Sequence, residues 1–355
     1  MKLRWKKWMA LGMAGMLAFS AVGCSKAQEK IEQENTGHDN GTESVSKEIY
    51  LTDQAGRQVL LEGPAKTVVS GYYISTYAML ALGLADRVAG LEKKADTRPI
   101  YRMAAPELLE KTAVGTMKEM DVEAVAALQP DLVILPKKLM AYADTYAELG
   151  IQTIVVNPES GEQLLEMLAL IGKACGAEEK AQQLAAYYKD KQEQIRRLTE
   201  GADKPLVYIA GNSSYRNTAP AAMYQSDMIA AAGGENAAVR QGIEGDYWVE
   251  VSYETILAMN PEIIIIPCGA AYTADDVMND AELASVDAVK NQKIYMMPQE
   301  IEEWDSPIPA GILGILWTAS VLHPDLYGQE QLIKDVTEFY RTFYGFEIDS
   351  ALITR

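Results

Sequence analysis

One pattern stands twice in this chain, as Asp121-Val-Glu-Ala-Val-Ala-Ala-Leu-Gln-Pro-Asp-Leu-Val-Ile-Leu-Pro136 and as Ser252-Tyr-Glu-Thr-Ile-Leu-Ala-Met-Asn-Pro-Glu-Ile-Ile-Ile-Ile-Pro267. A shift of 131 residues carries Glu123 onto Glu254, Ala127 onto Ala258, Pro130 onto Pro261 and Pro136 onto Pro267. Each copy opens on a residue suited to cap a helix, runs through a short helical stretch and turns at a proline. It ends in an unbroken apolar run, the signature of a strand buried on both faces. Such a repeat predicts two related α/β lobes.

Between the copies lies the longest helix-patterned stretch, residues 159–200. Apolar residues recur at Leu164, Leu165, Leu168 and Ile171, then at Ala181, Leu184, Ala185, Tyr188, Ile195 and Leu198, the spacing of one-sided helices. Gly172 and Gly176 bracket a break. The second helix, from Ala177, carries Glu178 and Glu179 early and Arg196 and Arg197 late, in accord with its macrodipole. At 1.5 Å per residue it is roughly 35 Å long, enough to bridge two lobes.

Strand and helix patterns alternate on either side. The first half offers a hairpin at Ile49–Leu61, strands at Thr67–Ser70, Arg87–Leu91, Asp131–Leu135 and Thr153–Val156, and helices at Thr76–Leu82, Asp121–Leu128 and Tyr142–Leu149. The second offers strands at Leu206–Ala210, Ile263–Ile266 and Ile294–Met297 and helices at Tyr224–Ala232, Tyr253–Met259 and Ala274–Asn279, then an amphipathic pair, Ala310–Leu322 and Glu330–Tyr344. This alternation predicts parallel sheets. The expected fold is α/β: two Rossmann-like lobes with parallel-rich sheets, joined by one long interlobe helix, with a ligand cleft between them. The boundaries fall at 48–158 for the N-terminal lobe, 159–203 for the helical segment, 204–345 for the C-terminal lobe and 346–355 for a tail.

Ahead of the lobes, residues 1–23 read as a signal peptide: a basic head, an apolar run from Trp8 to Phe19, and small residues before Cys24. Twelve apolar or small residues are too few to span a bilayer. Residues 24–47 are polar and lack aromatics, the composition of a flexible tether. The formal charge of −18 becomes −22 once the four basic residues of the leader are removed, which argues against nucleic acid as a partner. Beyond Cys24 only Cys175 and Cys268 remain, and they read as two buried free thiols.

Several features in this order, the Asp53-Gln-Ala-Gly-Arg57 hairpin, Ala81-Leu-Gly-Leu-Ala-Asp-Arg-Val-Ala-Gly90, both glutamate-to-proline copies, the long helix and Ile229-Ala-Ala-Ala-Gly-Gly-Glu-Asn-Ala-Ala238, resemble the helical-hinge solute-binding proteins of bacterial ABC importers. The resemblance covers roughly residues 48–345. It implies a binding protein, not an enzyme and without a cofactor of its own, that delivers an iron chelate (ferric siderophore or haem) to a membrane permease and its ATPase. Cobalamin or an oxyanion such as molybdate or tungstate is the alternative ligand. Glu123 and Glu254 match the two glutamates, one per lobe, that such proteins present to permease arginines. The segment before Cys24 resembles a lipobox, with Ala21 where the family prefers leucine; this implies a lipidated Cys24 anchoring a monomer to the outer face of the cell membrane.

Ligand contacts are expected where loops leave the C-terminal ends of the strands. In the N-terminal lobe these loops offer Tyr72, Tyr73, Lys93, Lys137 and Lys138; in the C-terminal lobe they offer Tyr215, Arg216, Trp248 and Trp304. Nineteen tyrosines against four phenylalanines suit a cleft that is apolar yet hydrogen-bonding. The basic residues suit an anionic chelate. Other chemistry finds little support. His38 falls in the tether and His323 at a helix end, too few histidines for a bare zinc or manganese site or a Ser/His/Asp triad. Gly211-Asn-Ser-Ser lacks the lysine of a phosphate loop. Acidic pairs such as Asp275-Asp276 and Glu302-Glu303 are common in a chain this acidic, which leaves a secreted hydrolase without a specific signal, and an adhesin would leave the two-lobe repeat unexplained.

Overall fold

The computed structural model describes residues 48–354. The signal peptide and tether expected over residues 1–47, with Cys24, lie outside the described residues. An antiparallel hairpin, β1 (Ile49–Thr52) and β2 (Gln58–Leu61), opens the described chain. The N-terminal lobe follows as β3 (Val68–Ser70), α1 (Tyr73–Ala81), β4 (Val88–Leu91), α2 (Pro99–Ala104), β5 (Thr112–Ala113), α3 (Val122–Ala127), β6 (Leu132–Pro136), α4 (Tyr142–Glu148) and β7 (Gln152–Val156). Its five strands form a parallel sheet in the order β5-β4-β3-β6-β7.

Two helices lead out of this lobe, α5 (Gly161–Cys175) and α6 (Glu178–Leu198). Ser160 caps α5 by accepting from the Gln163 amide, and Gly176, with φ at 67°, takes the left-handed turn that ends it. α5 packs on β1 and α1 and α6 on two helices of the second lobe. The C-terminal lobe contains β8 (Leu206–Ile209), β9 (Asn217–Thr218), α7 (Tyr224–Ala231), β10 (Glu235–Asn236), α8 (Ala237–Arg240), β11 (Val249–Glu250), α9 (Tyr253–Met259), β12 (Ile263–Ile266), α10 (Ala274–Met278), α11 (Asp287–Lys290) and β13 (Ile294–Met296). Its main sheet is parallel, in the order β10-β8-β12-β13. In both sheets the chain first steps outward from its central strand and then crosses to the other side, so β6 and β12, the two strands of the repeat, sit in equivalent places.

α12 (Gly311–Leu322) and α13 (Gln329–Phe343) close the fold. Every residue of α12 is buried, and α12 packs against α6, α7 and α13. One apolar cluster runs from Leu51 and Tyr77 in the first lobe through Leu168 and Leu184 to Trp304, Leu316 and Tyr340. The two lobes therefore share a core. Residues 346–354, read as a tail, also pack: Ile348 and Ile353 are buried, and the Trp317 indole donates to the Thr354 carbonyl.

Candidate functional site

The strand ends of the first lobe supply a row of tyrosines. Ser70 closes β3 and is buried, its hydroxyl within 2.8 Å of those of Ser75 and Thr76, so the turn into α1 is tied down by short side chains. α1 then presents Tyr73 and Tyr77 on one face, four residues apart. The rings of Tyr72, Tyr73, Tyr77 and Tyr101 meet edge to face in succession, with centroids 5.3, 5.6 and 5.6 Å apart. Glu92, just past β4, is buried behind them and accepts from Tyr101 at 2.6 Å and Thr76 at 2.9 Å. Burial raises its pKa despite those bonds.

Arg98 is the one cation in this row. Pro99 opens α2, and the residue before a proline is driven to extended backbone; Arg98 sits at φ −105°, ψ 108°. Its guanidinium carbon lies 4.0 Å from the centre of the Tyr73 ring. Nη1 donates to the Tyr77 hydroxyl at 3.2 Å and to Glu303 Oε1 at 2.9 Å, while Tyr77 donates to Glu303 Oε2 at 2.9 Å. The two bonds to Glu303 cross from one lobe to the other. Nε stands 3.4 Å from Glu92 Oε1 as an ion pair, yet it is buried with no hydrogen-bond partner. Burial favours loss of the Arg98 proton, but Tyr77 and Glu303 outweigh it and hold the pKa up.

The facing wall is the segment after β13. Glu302 is fully enclosed and accepts from Tyr340 and Tyr344, each at 2.9 Å. Burial, only partly offset by those two hydroxyls, pushes Glu302 up to about 8; burial likewise pushes Asp305, beside Cys268, up to about 7. The Cys268 thiol donates to the Pro298 carbonyl at 3.2 Å, and burial raises its pKa too. Cys268 and Cys175 are both free and buried, as the sequence predicts.

The residues singled out from the sequence fall in different places. Tyr72 and Tyr73 lie half-buried in the interlobe seam. Trp248 is half-buried against the shared core; a Cβ added to Gly211 would come 3.2 Å from its ring. Lys93, Lys137 and Lys138 are exposed at the strand ends. Arg216 pairs with Glu250 at 2.6 Å. Tyr215 turns away: its hydroxyl donates to Asp280 at 2.7 Å and its ring packs on Tyr272, within the second lobe's own apolar cluster. Trp304 is 1% exposed and is a core residue, its indole donating to Tyr340 at 2.9 Å. The sequence reading missed Arg98 and Tyr77, and it placed Glu303 in a cleft loop, residues 299–307, without singling it out. An arginine fixed by the proline after it was the signal available for the first.

Glu123 and Glu254 are exposed, each the second residue of its helix. Asp121 caps α3 and Ser252 caps α9, by accepting from the amides of Ala124 and Thr255. Met120, just before α3, abuts Gly71 at the end of β3, and Val251, just before α9, bonds Arg216 beyond the end of β8. Both glutamates thus stand on the strand-end side of their sheets, the side that holds the tyrosine row. The Ser252 hydroxyl and the Glu254 backbone amide lower the Glu254 pKa. His323 ends α12 through its backbone amide, which donates to the Ala319 carbonyl, and its ring turns to another segment, with Nε2 3.1 Å from the Gly233 carbonyl. A surface hollow of about 830 Å³ near the far end of α6, lined by Arg196, Lys204 and Gly233 among others, contains none of the seam's residues. Among the described residues no group of three or more His, Cys, Asp and Glu side chains is placed to hold a metal ion, and no helix is long and apolar enough to cross a membrane.

This arrangement, two parallel-sheet lobes around one helical connection with aromatic and charged side chains at their facing strand ends, is that of a two-lobed solute-binding protein. Residues 68–301 match the periplasmic binding protein family model, and the chain belongs to that family. It is 27% identical over 345 residues to the uncharacterised ABC transporter substrate-binding lipoprotein YvrC of Bacillus subtilis, covering 92% of this chain and 99% of that one. It is 24% identical to the molybdate-binding protein MolA of Haemophilus influenzae, covering 85% of this chain and 92% of that one. Among solved structures, a periplasmic solute-binding protein of Veillonella parvula superposes with a TM-score of 0.76 at 26% identity, covering 86% of this chain and 96% of that one.

Proposed function

We propose that this chain is the extracytoplasmic substrate-binding component of an ABC importer, and that its interlobe cleft receives an iron chelate, a ferric siderophore or haem. The observation that carries the reading is the half-buried pair Tyr72 and Tyr73 at the strand ends of one lobe, with Arg98 over the Tyr73 ring and turned to the other lobe, while Tyr77 and Tyr101 continue the row into the core. Flat, polarisable rings with hydroxyl tips suit a ligand of mixed apolar and polar surface, and a single guanidinium suits its anionic group. Tyr72, Tyr73, Trp248 and Arg98 are the contacts assigned here, with Lys93, Lys137 and Lys138 at the mouth. Glu123 and Glu254 dock the permease, which works with its ATPase, and Cys24 carries a lipid anchor. The protein acts as a monomer and is not an enzyme.

A smaller oxyanion is the second reading, favoured by a guanidinium already bonded to a carboxylate and by the likeness to MolA. Native mass spectrometry and metal analysis of protein purified without refolding separate the two. An iron-bearing adduct supports the chelate, and a molybdenum or tungsten adduct supports the oxyanion. If neither copurifies and titration with haem, a ferric siderophore, cyanocobalamin and molybdate yields no binding, both ligand assignments are overturned.

A further inference from the structure

In the seam between the lobes, the carboxylate of Glu303 rests against the Arg98 guanidinium and the Tyr77 hydroxyl, both contacts at 2.9 Å, and it is the second lobe's own side chain. Three observations mark this place as a receptor for an anion. Arg98 reaches the Glu303 carboxylate through Nη1 alone, a one-point contact where a guanidinium can make two, while its Nε is buried against Glu92 Oε1 at 3.4 Å. Tyr73 fixes the plane of the guanidinium from one side and Glu92 its position from behind, so the fork is held before anything arrives. Glu303 keeps 38% of its side-chain exposure, whereas its neighbours Glu302 and Trp304 are enclosed. Glu303 can therefore swing into solvent without unpacking the core.

We infer that Arg98 and Tyr77 form the anion subsite of the cleft, that Glu303 occupies it as a built-in stand-in, and that the ligand bears a carboxylate or comparable oxyanion that displaces Glu303. The inference rests on the reading of this seam as the ligand cleft and adds to it the charged group that the ligand must carry. It also makes Glu303 a specificity residue. A ligand without an anionic group leaves the Arg98–Glu303 bridge in place and meets a closed seam. A ligand with one exchanges one carboxylate for another and releases Glu303 to water, so the net cost of opening is small.

The test uses acetate and molybdate as probes and needs no knowledge of the natural ligand. Glu303→Ala empties the subsite, and amide hydrogen exchange is followed in segments 70–77 and 95–102 of the first lobe. Exchange there should rise roughly tenfold over wild type, the effect of losing one cross-lobe bridge. Acetate or molybdate should restore protection in a concentration-dependent way, and sodium chloride at equal ionic strength should not. Restoration by acetate at the lower concentration assigns the site to a carboxylate borne by a chelate; restoration by molybdate assigns it to a free oxyanion. Arg98→Met in the same background should abolish the rescue. Unchanged exchange in Glu303→Ala, or no rescue by either anion, overturns the subsite. Neither result depends on whether an iron chelate copurifies with the protein, so the two proposals fail separately.

Discussion

Tyr340 donates a hydrogen bond to Glu302 at 2.9 Å inside the shared core, joining α13 to the wall of the cleft. The bond fixes an enclosed carboxyl group that favours its protonated form, and Asp305 three residues on behaves alike.

The first prediction is a stability that falls as pH rises. Glu302 titrates near 8 in the folded chain against an ordinary 4.5, and Asp305 near 7 against 3.8. Between those limits the folded state holds protons that the unfolded state has released, so the contribution is complete below about pH 4 and disappears as pH climbs to 8. Each group accounts for at most about 1.4 kcal/mol per pH unit within its window. Urea midpoints at pH 5 and pH 8 should differ accordingly, and Glu302→Gln should flatten the profile. Stability that increases steadily from pH 5 to pH 8 would show that these carboxyls are ionised.

A second prediction concerns the helix that supports this wall. Gly314 of α12 faces the Trp304 backbone so closely that a Cβ would overlap the carbonyl oxygen. Backbone yields less easily than a side chain, and overpacking of this kind costs typically about 1–3 kcal/mol. Gly314→Ala should therefore destabilise the protein by at least that amount in denaturant unfolding and disturb segment 301–305. An unchanged midpoint would mean that the loop can move away from α12 freely.

The repeat made much of this architecture readable. α9 and β12 lie where the sequence places them to the residue, because Ser252 caps the helix and four consecutive isoleucines leave no other reading for the strand. The two-residue strands β5, β9, β10 and β11 left no trace, since a pair of residues has no periodicity. The site was harder to see. Arg98 and Glu303 stand 205 positions apart and acquire meaning only when the lobes face each other. Trp304, an aromatic in a polar loop, reads as a ligand contact until Tyr340 arrives from α13 to accept a hydrogen bond from its indole N–H.

The third prediction is a small motion. Tyr188 of α6 and Tyr224 of α7 share a buried hydrogen bond of 2.9 Å, and one apolar cluster includes residues of both lobes and of α5 and α6. Opening through a large angle would expose that core, at about 25 cal/mol for each Å² of apolar surface. Ligand-free and ligand-bound scattering profiles should nearly superimpose. A marked compaction on binding would refute the shared core as a restraint.

The fourth prediction tests the anchor. With Cys24 lipidated, the protein should partition with membranes and incorporate a labelled fatty acid, and Cys24→Ala should leave it unprocessed or release it. A wild-type protein that takes up no label carries no lipid on Cys24.

The last prediction separates import from any other use of the cleft. Glu123 and Glu254 sit at equivalent exposed positions beside capped helix starts, on the strand-end side of each sheet, and neither bonds to a residue of the tyrosine row. Two carboxylates so placed can orient the protein on a basic partner while contributing little to its fold, because exposed charges steer and align more than they bind. Glu123→Lys and Glu254→Lys should each cripple uptake in cells, and the double variant should be worst. Purified variants should keep the ligand affinity and melting temperature of wild type. Cleft substitutions such as Arg98→Met should show the converse, a loss of affinity that explains the loss of transport. If both single charge reversals transport normally, or if their affinity falls in step with transport, these glutamates are ordinary first-turn residues that favour the helix dipole, and the permease is held elsewhere.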